Sequence, residues 1–126
     1  MGRDRKGEKL TVSRKTVKKP DETRKFPNGK TDIVKVGEFT IGRSTLRPGW
    51  KWSKAVKPIV KTESCQAHHV GFCISGKMEG VMDDGTKWVV TEGDVIDLPP
   101  GHDAWVVGKK PVVFLDFMGA SQYAKR

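Results

Sequence analysis

The chain has 126 residues, of which 36% are hydrophobic and 31% are charged, and its formal net charge is +9. This length predicts one domain with a single modest core, and the 14 glycines and 7 prolines favour a turn-rich fold over a helical bundle. No run of 18 apolar residues is present and the basic N-terminus has no apolar segment behind it, so we expect a cytoplasmic protein with no membrane span and no secretory signal.

The positive charge is concentrated at the N-terminus. Residues 1–30 contain 11 Lys and Arg against 4 Asp and Glu, whereas residues 31–126 contain 13 against 11. We interpret residues 1–30 as a basic, partly disordered arm. Such an arm could contact nucleic acid, but Phe26 is its only aromatic residue and no helix-turn-helix or zinc-finger spacing occurs. We therefore expect no nucleic-acid partner.

From residue 31 to residue 117 the pattern is that of short β-strands separated by turns. The Asp83-Asp84-Gly85 turn lies between two alternating segments and predicts a hairpin, because Asp-Gly suits turns that match strand twist. A Glu-Gly-Asp turn at 92–94 and a Pro-Pro-Gly turn at 99–101 follow, and residues 57–60 are predicted as a short strand. This regular spacing predicts an all-β sandwich or barrel, and residues 118–126 are expected to be a tail.

Both cysteines and all three histidines lie in two segments, residues 65–76 and 93–102. A continuous strand would hold Cys65 and Cys73 roughly 26 Å apart, at about 3.3 Å per residue, which is too far for a disulfide. Free thiols in a reducing compartment are therefore expected. Cysteine and histidine, the soft and borderline metal ligands, occur in this chain only in these two segments. We therefore expect any metal-binding or catalytic site to lie there.

The same segments resemble the cupin family. Gly93, Pro99 and Gly101 have the spacing of the second cupin motif, and residues 65–76 lie where the first motif should be. The chain is most similar to small stand-alone cupins through residues 48–52, 64–67 and 99–105, and the resemblance covers residues 40–117. It implies an all-β jelly-roll barrel, or double-stranded β-helix, with a site inside the mouth of the barrel.

The resemblance also implies a metal site of altered composition. His69 stands where the family pattern has a glutamate, and Cys65 and Glu63 stand upstream of it, where the pattern has histidines. Ala104 occupies the position of the last histidine, but His102 has the same strand parity and could face the same cavity. Glu63, Cys65, His69 and His102 are therefore the candidate metal ligands. The thiolate favours zinc, iron or copper over manganese, although a buried cysteine can also be simple core packing.

The neighbouring residues have simpler expected roles. His68 has the opposite parity to His69 and should point outward, and Cys73 should be a core thiol. Asp103 should cap a turn, or alternatively orient the imidazole of His102.

Two functions follow as hypotheses. The first is a metal-dependent enzyme acting on a small organic molecule, which the resemblance implies could be dioxygenase-like or isomerase-like, with His102 and His69 as catalytic residues that could also serve as general bases without a metal. The second is a non-catalytic barrel that binds or senses a small ligand. A homodimer is expected in either case, because an open jelly roll leaves strand edges that a second chain commonly pairs.

Overall fold

The computed structural model describes residues 11–125, so the first ten residues of the expected disordered arm lie outside the described part. The described residues form nine strands and two single-turn helices. In chain order these are β1 (Glu22–Phe26), β2 (Gly29–Val36), β3 (Phe39–Leu46), α1 (Trp52–Ala55), α2 (Lys57–Val60), β4 (His69–Ser75), β5 (Lys77–Met82), β6 (Lys87–Thr91), β7 (Val95–Leu98), β8 (His102–Val106) and β9 (Val112–Asp116). The all-β prediction is confirmed.

The strands form two antiparallel sheets. The larger has the order β1-β2-β3-β9-β4-β7 and the smaller the order β6-β5-β8. The two sheets enclose a core in which Trp52, Cys73, Val90 and Val112 are almost completely buried. Strand β4 pairs with β9 on one side and with β7 on the other, so residues from distant parts of the chain meet at its ends.

The hairpin between β5 and β6 forms where the Asp83-Asp84-Gly85 turn predicted it. The Met82 amide donates to the Thr86 carbonyl at 2.8 Å, and Gly85 adopts a φ of +91°, which a residue with a side chain rarely tolerates. The turn therefore needs this glycine at its tip.

Residues 57–60 form helix α2, so their prediction as a short strand is wrong. Pro58 lies in the first turn of this helix, where its missing N–H costs nothing. Lys61 ends the helix in the left-handed conformation, and its amide donates to the Lys57 carbonyl at 2.7 Å. The preceding helix α1 begins at Trp52 and buries that side chain.

The packed unit extends beyond residues 31–117 at both ends. Strand β1 lies within the predicted basic arm, and its Phe26 ring packs edge-on against Tyr123, with ring centroids 6.0 Å apart. Residues 118–125, which were expected to be a tail, contain bends and turns. Arg24 Nη1 donates to the carbonyls of Ala120 at 3.0 Å and Tyr123 at 2.7 Å, which fastens this C-terminal turn against β1.

None of the helices formed by residues 11–125 has the length and apolarity needed to cross a membrane.

Candidate metal centre

Three predicted site residues meet at one end of the barrel. The ligand atoms of Cys65, His69 and His102 all lie within 4.8 Å of one another, and all three residues are buried. Cys65 lies in the loop between α2 and β4, whereas His69 and His102 are the first residues of β4 and β8. Separate parts of the chain thus bring a sulfur and two imidazole rings to one point.

An isolated β-bridge joins Cys65 to His102. The Cys65 amide donates to the His102 carbonyl at 2.8 Å, and the Gly101 amide donates to the Cys65 carbonyl at 2.7 Å. Gly101 has a φ of +93°, so the chain reverses sharply after the two prolines and enters β8 at His102. The Pro-Pro-Gly turn therefore delivers the His102 imidazole to the site.

The hydrogen bonds of the two histidines leave the same ring nitrogen free in each. His102 Nδ1 donates to the carbonyl of Pro99 at 2.8 Å, and His69 Nδ1 donates to Asp116 Oδ2 at 2.5 Å. Because a carbonyl and a carboxylate only accept, the proton lies on Nδ1 of each ring. In the neutral ring the Nε2 atom can offer its lone pair to a metal ion, whereas without a metal His69 Nε2 makes a hydrogen bond with Cys65 Sγ at 3.7 Å.

The Asp116 carboxylate contacts both the His69 ring and the C-terminal turn. It is the last residue of β9, buried, and opposite Gly71 of β4, which brings its carboxylate beside the His69 ring. Its other oxygen accepts hydrogen bonds from the amides of Met118 at 3.1 Å and Gly119 at 3.0 Å. The orientation of His69 and the position of the C-terminal turn therefore depend on one side chain.

Local interactions change the acidity of these groups in opposite directions. Burial alone would raise the pKa of Cys65, but hydrogen bonds from His102 and His69 lower that pKa to about 6. Burial alone would lower the pKa of His69, but the bonds to Asp116 and Cys65 raise it to about 9. Burial opposes ionisation of Asp116 as well, yet its bond with His69 leaves its pKa below the ordinary value. At neutral pH a thiolate therefore faces an imidazolium when no metal is bound.

This donor set fits a transition metal ion. Bond lengths of about 2.0 Å to nitrogen and 2.3 Å to sulfur in a tetrahedral site place two nitrogen donors about 3.3 Å apart and a nitrogen and a sulfur about 3.5 Å apart. The 3.7 Å separation of Cys65 Sγ and His69 Nε2 agrees with that spacing. Each imidazole also has the outer hydrogen bond that metal-ligating histidines almost always make. Three protein donors leave one coordination position for a ligand.

Glu63 does not join the other three candidate ligands. Its side chain is 99% exposed, and its Oε2 lies 3.3 Å from the ammonium of Lys57. The parity argument that grouped it with Cys65 assumed a continuous strand. Residues 61–64 are not in a strand, so alternation along the chain does not decide where Glu63 points.

The neighbouring residues take structural positions. His68 is partly exposed and pairs with Asp97 on β7 at 2.5 Å. Cys73 Sγ is enclosed by the core and donates to the Ser75 carbonyl at 3.3 Å. Asp103 accepts from the amides of Ser53 at 3.1 Å and Ala104 at 2.9 Å, which is a capping role rather than contact with His102.

Sequence reasoning missed Asp116, Tyr123 and Trp88. The Tyr123 ring meets the His69 ring edge-on at 5.4 Å between centroids, and Trp88 meets His102 in the same way at 6.3 Å. Burial raises the pKa of the Tyr123 phenol well above its ordinary value, so the phenol stays protonated. An acidic residue closing the apolar β9 segment was the only local sign of Asp116.

Two cavities flank the cluster. An interior cavity of about 50 Å³ is lined by His69 and His102 among apolar side chains. A cleft of about 490 Å³ lies on the outside of the same end and is lined by Cys65 but by neither of those histidines. Trp52 and Tyr123 line both cavities and form the wall between them.

No family model and no curated protein sequence matches the chain. Solved structures do match it. An S161A mutant of oxalate decarboxylase from Bacillus subtilis has a TM-score of 0.57 and 19% identity over 82% of this chain and 29% of its own. The formate complex of oxalate decarboxylase from Lactobacillus farciminis has a TM-score of 0.56 and 17% identity over 81% and 32%. The 11S allergen of Cocos nucifera has a TM-score of 0.55 and 17% identity over 85% and 34%. The chain thus spans about a third of the length of these proteins, and the similarity is one of fold.

Proposed function

We propose that this chain, whose fold is similar to that of oxalate decarboxylase and of an 11S allergen, is a small cupin domain that holds a divalent transition metal ion, zinc or iron. Cys65, His69 and His102 are the proposed ligands. The observation that carries the proposal is the convergence of these three donors within 4.8 Å, together with outer hydrogen bonds that leave both Nε2 atoms free. Glu63 is not among the proposed ligands, because its carboxylate lies at the surface.

An ion held by three protein donors would supply Lewis-acid chemistry to a small organic ligand at its open position. The chain's own residues prepare that position. Asp116 keeps the proton of His69 on Nδ1, and the Pro99 carbonyl does the same for His102. The rings of Tyr123 and Trp88 pack edge-on against His69 and His102 and help to bury them. We propose a metal-dependent enzyme for a small molecule, dioxygenase-like or isomerase-like, in which His69 and His102 contact the reacting centre through the ion.

A second candidate is a non-catalytic domain that binds or senses a small molecule. The interior cavity of about 50 Å³ favours it, because a substrate of more than a few heavy atoms has no room beside the two histidines. Turnover assays on the metal-loaded protein separate the two candidates. Binding without conversion of any bound ligand would favour the sensor.

Metal analysis tests the proposed centre directly. Untagged protein is stripped with a chelator, reloaded with Zn²⁺ or Fe²⁺, desalted and measured by inductively coupled plasma mass spectrometry. We expect about one equivalent in the natural protein, far less in Cys65→Ser and His102→Gln, and an unchanged content in the control Glu63→Gln. Less than about a tenth of an equivalent in the natural protein, or equal retention by Cys65→Ser, contradicts the metal centre.

Two further features belong to the proposal. Both cysteines of the described chain are free and buried, which supports a reducing compartment such as the cytoplasm. Strands β1 and β7 end the larger sheet, and β6 and β8 end the smaller, so edges are available for a second copy in a homodimer. Light scattering coupled to size exclusion tests the dimer, and a monomer mass at micromolar concentration contradicts it.

A further inference from the structure

The sizes of the two cavities decide where an organic ligand can bind. One water molecule needs roughly 10–15 Å³ of such space, so the interior cavity of about 50 Å³ holds a few waters at most. The outer cleft of about 490 Å³ falls within the roughly 300–1,000 Å³ that small-molecule sites span. Of these two cavities beside the cluster, the outer cleft is the one with room for a ligand that carries an aromatic ring.

The cleft also has access to the metal centre. Cys65 lines it, while His69 and His102 lie behind the wall that Trp52 and Tyr123 form. Cys65 Sγ is 3.7 Å from His69 Nε2, so a molecule that contacts Cys65 in the cleft is separated from the histidines only by the Cys65 side chain. It would approach the centre from the sulfur side rather than from the barrel interior.

The lining of the cleft favours an apolar body. Helices α1 and α2 contribute Trp52 and Val60, with Val56 between them, and the C-terminal turn contributes Met118. Met118 is 55% exposed, so its side chain can pack against a bound molecule without rearranging the core.

The charges of the lining favour an anion. No Asp or Glu belongs to the residues that line the cleft in the described chain, whereas Lys125 does, and Gln122 on the same turn adds an amide. Cys65 also lines the cleft, but its sulfur lies 3.7 Å from His69 Nε2, so a negative charge on the sulfur is paired with that imidazole. The other basic group of the lining, His68, already pairs with Asp97. A single ammonium beside an apolar wall is complementary to one carboxylate on an apolar body.

We propose that the outer cleft binds a small monocarboxylate with an aromatic or similarly sized apolar body. The carboxylate lies toward Lys125 and Gln122, and the body lies against Trp52, Val56 and Val60, where it covers Cys65. This inference rests on the proposed function in one respect, namely that the molecule bound in the cleft is the one that reaches the proposed metal centre. Its binding to the cleft depends on the walls and on Lys125.

Calorimetric titration with three probes of similar size and different charge tests the proposal. Phenylacetate, phenylacetamide and phenethylammonium are titrated into the full-length protein, both metal-depleted and loaded with Zn²⁺. We expect phenylacetate to bind most tightly, the amide more weakly and the ammonium weakest in both forms. Equal affinity for the three probes, or no binding of phenylacetate to either form, overturns the proposal.

Substitutions at the exposed rim locate the bound probe. Met118→Glu places a negative charge in the cleft and should weaken phenylacetate binding at least tenfold, whereas the isosteric control Met118→Gln should change it less than about threefold. Lys125→Ala should weaken phenylacetate about threefold to fivefold and leave phenylacetamide unchanged, since an exposed charge pair is worth little more. If Met118→Glu and Met118→Gln change phenylacetate binding equally, the probe binds elsewhere and the proposal is wrong.

The two proposals can fail separately. Phenylacetate binding with these variant effects, in a protein that retains no zinc, supports the cleft and contradicts the metal centre. One equivalent of zinc with no phenylacetate binding contradicts the cleft and leaves the metal centre standing.

Discussion

Cys65 and Cys73 lie eight residues apart, and both are buried, with 4% and 0% of their surface exposed. Their surroundings differ completely. Cys65 faces the imidazoles of His69 and His102, whereas Cys73 meets the carbonyl of Ser75 inside the core. Burial raises the pKa of Cys73, but the two imidazoles reverse the effect of burial at Cys65 and lower its pKa to about 6.

The difference shows that burial alone does not make a reactive cysteine in this fold. The partners of Cys65 come from β4, β8 and β9, and the last of these acts indirectly through the bond of Asp116 to His69. Cys73 lies within β4 itself, where its sulfur meets backbone carbonyls and core side chains, and the nearby negative charges of Asp94 and Glu92 raise its pKa further. Cys73 therefore serves as the internal control for the reactivity of Cys65.

Alkylation of the metal-depleted protein should separate the two thiols most strongly. At pH 7 Cys65, with a pKa of about 6, is mostly thiolate, whereas burial raises the pKa of Cys73 and keeps it mostly protonated. The lower nucleophilicity of a low-pKa thiolate offsets only part of this difference. Access of the reagent should increase the ratio of the two alkylation rates further, because Cys65 lines the outer cleft and Cys73 is enclosed. We expect iodoacetamide to modify Cys65 at least tenfold faster, as measured by peptide mass spectrometry over time.

The pH profile of the same reaction tests the cause. The rate at Cys65 should rise through a pKa of about 6, and Zn²⁺ should suppress it. A rate that rises only above pH 8, or equal modification of the two cysteines in the folded protein, would show that the imidazoles do not ionise this thiol.

Asp116→Asn should weaken zinc binding by about 10- to 100-fold, which is the usual effect of removing the outer partner of a ligating histidine. An asparagine oxygen can still accept from the amides of Met118 and Gly119, so the C-terminal turn should persist. The matched control is Asp97→Asn, because Asp97 makes the same 2.5 Å contact to a histidine, but at the surface. Competition titration with a zinc chelator measures both, and equal losses would contradict a specific role for Asp116.

The candidate site was partly predictable because some of its signals are local. The Pro-Pro-Gly turn indicates where a new strand begins with His102. The chain has only two cysteines and three histidines, so they are easily identified as candidate ligands. The strand parity that grouped Glu63 with Cys65 failed, because only an isolated bridge forms at Cys65. Asp116 was out of reach since it lies 47 residues from His69, and only the pairing of β4 with β9 brings them together.

The two ends of the chain were less predictable than its middle, again because their packing depends on residues that are distant in the sequence. The β5–β6 hairpin depends on a glycine that the turn itself requires. Strand β1 is rich in charged residues and had no apolar pattern to reveal it, because its place depends on pairing with β2. The C-terminal turn depends on Arg24, about a hundred residues earlier, so its packing could not be read from residues 118–126.

Cys73→Ala should cost about 1–2 kcal/mol of unfolding free energy, because it leaves a small cavity in an enclosed part of the core. Zinc content and the alkylation of Cys65 should not change. Urea denaturation of the metal-depleted protein measures the cost. A loss of zinc binding in this variant would show that the two regions are coupled through β4.

The smallest expected effect is a difference in how stability depends on pH. In the metal-depleted natural protein at pH 7.5, the folded pair carries one proton on His69 and none on Cys65, and the unfolded chain carries one on the cysteine and none on the histidine. The proton counts are equal, so this pair makes the free energy of unfolding nearly flat between about pH 6.5 and 9.

Cys65→Ser should remove that balance. The pKa of His69 is then raised by Asp116 alone, and a raised histidine pKa gives stability that is present below about pH 6.5 and lost as pH rises through the folded value. The variant should lose up to about 1.4 kcal/mol per pH unit relative to the natural protein across the lower part of this window. Urea denaturation of both metal-depleted proteins at pH 6, 7 and 8 measures the difference, in which all other titrating groups cancel. A constant difference across these pH values would mean that Cys65 is not ionised by its neighbours, and the contrast with Cys73 would then be one of position alone.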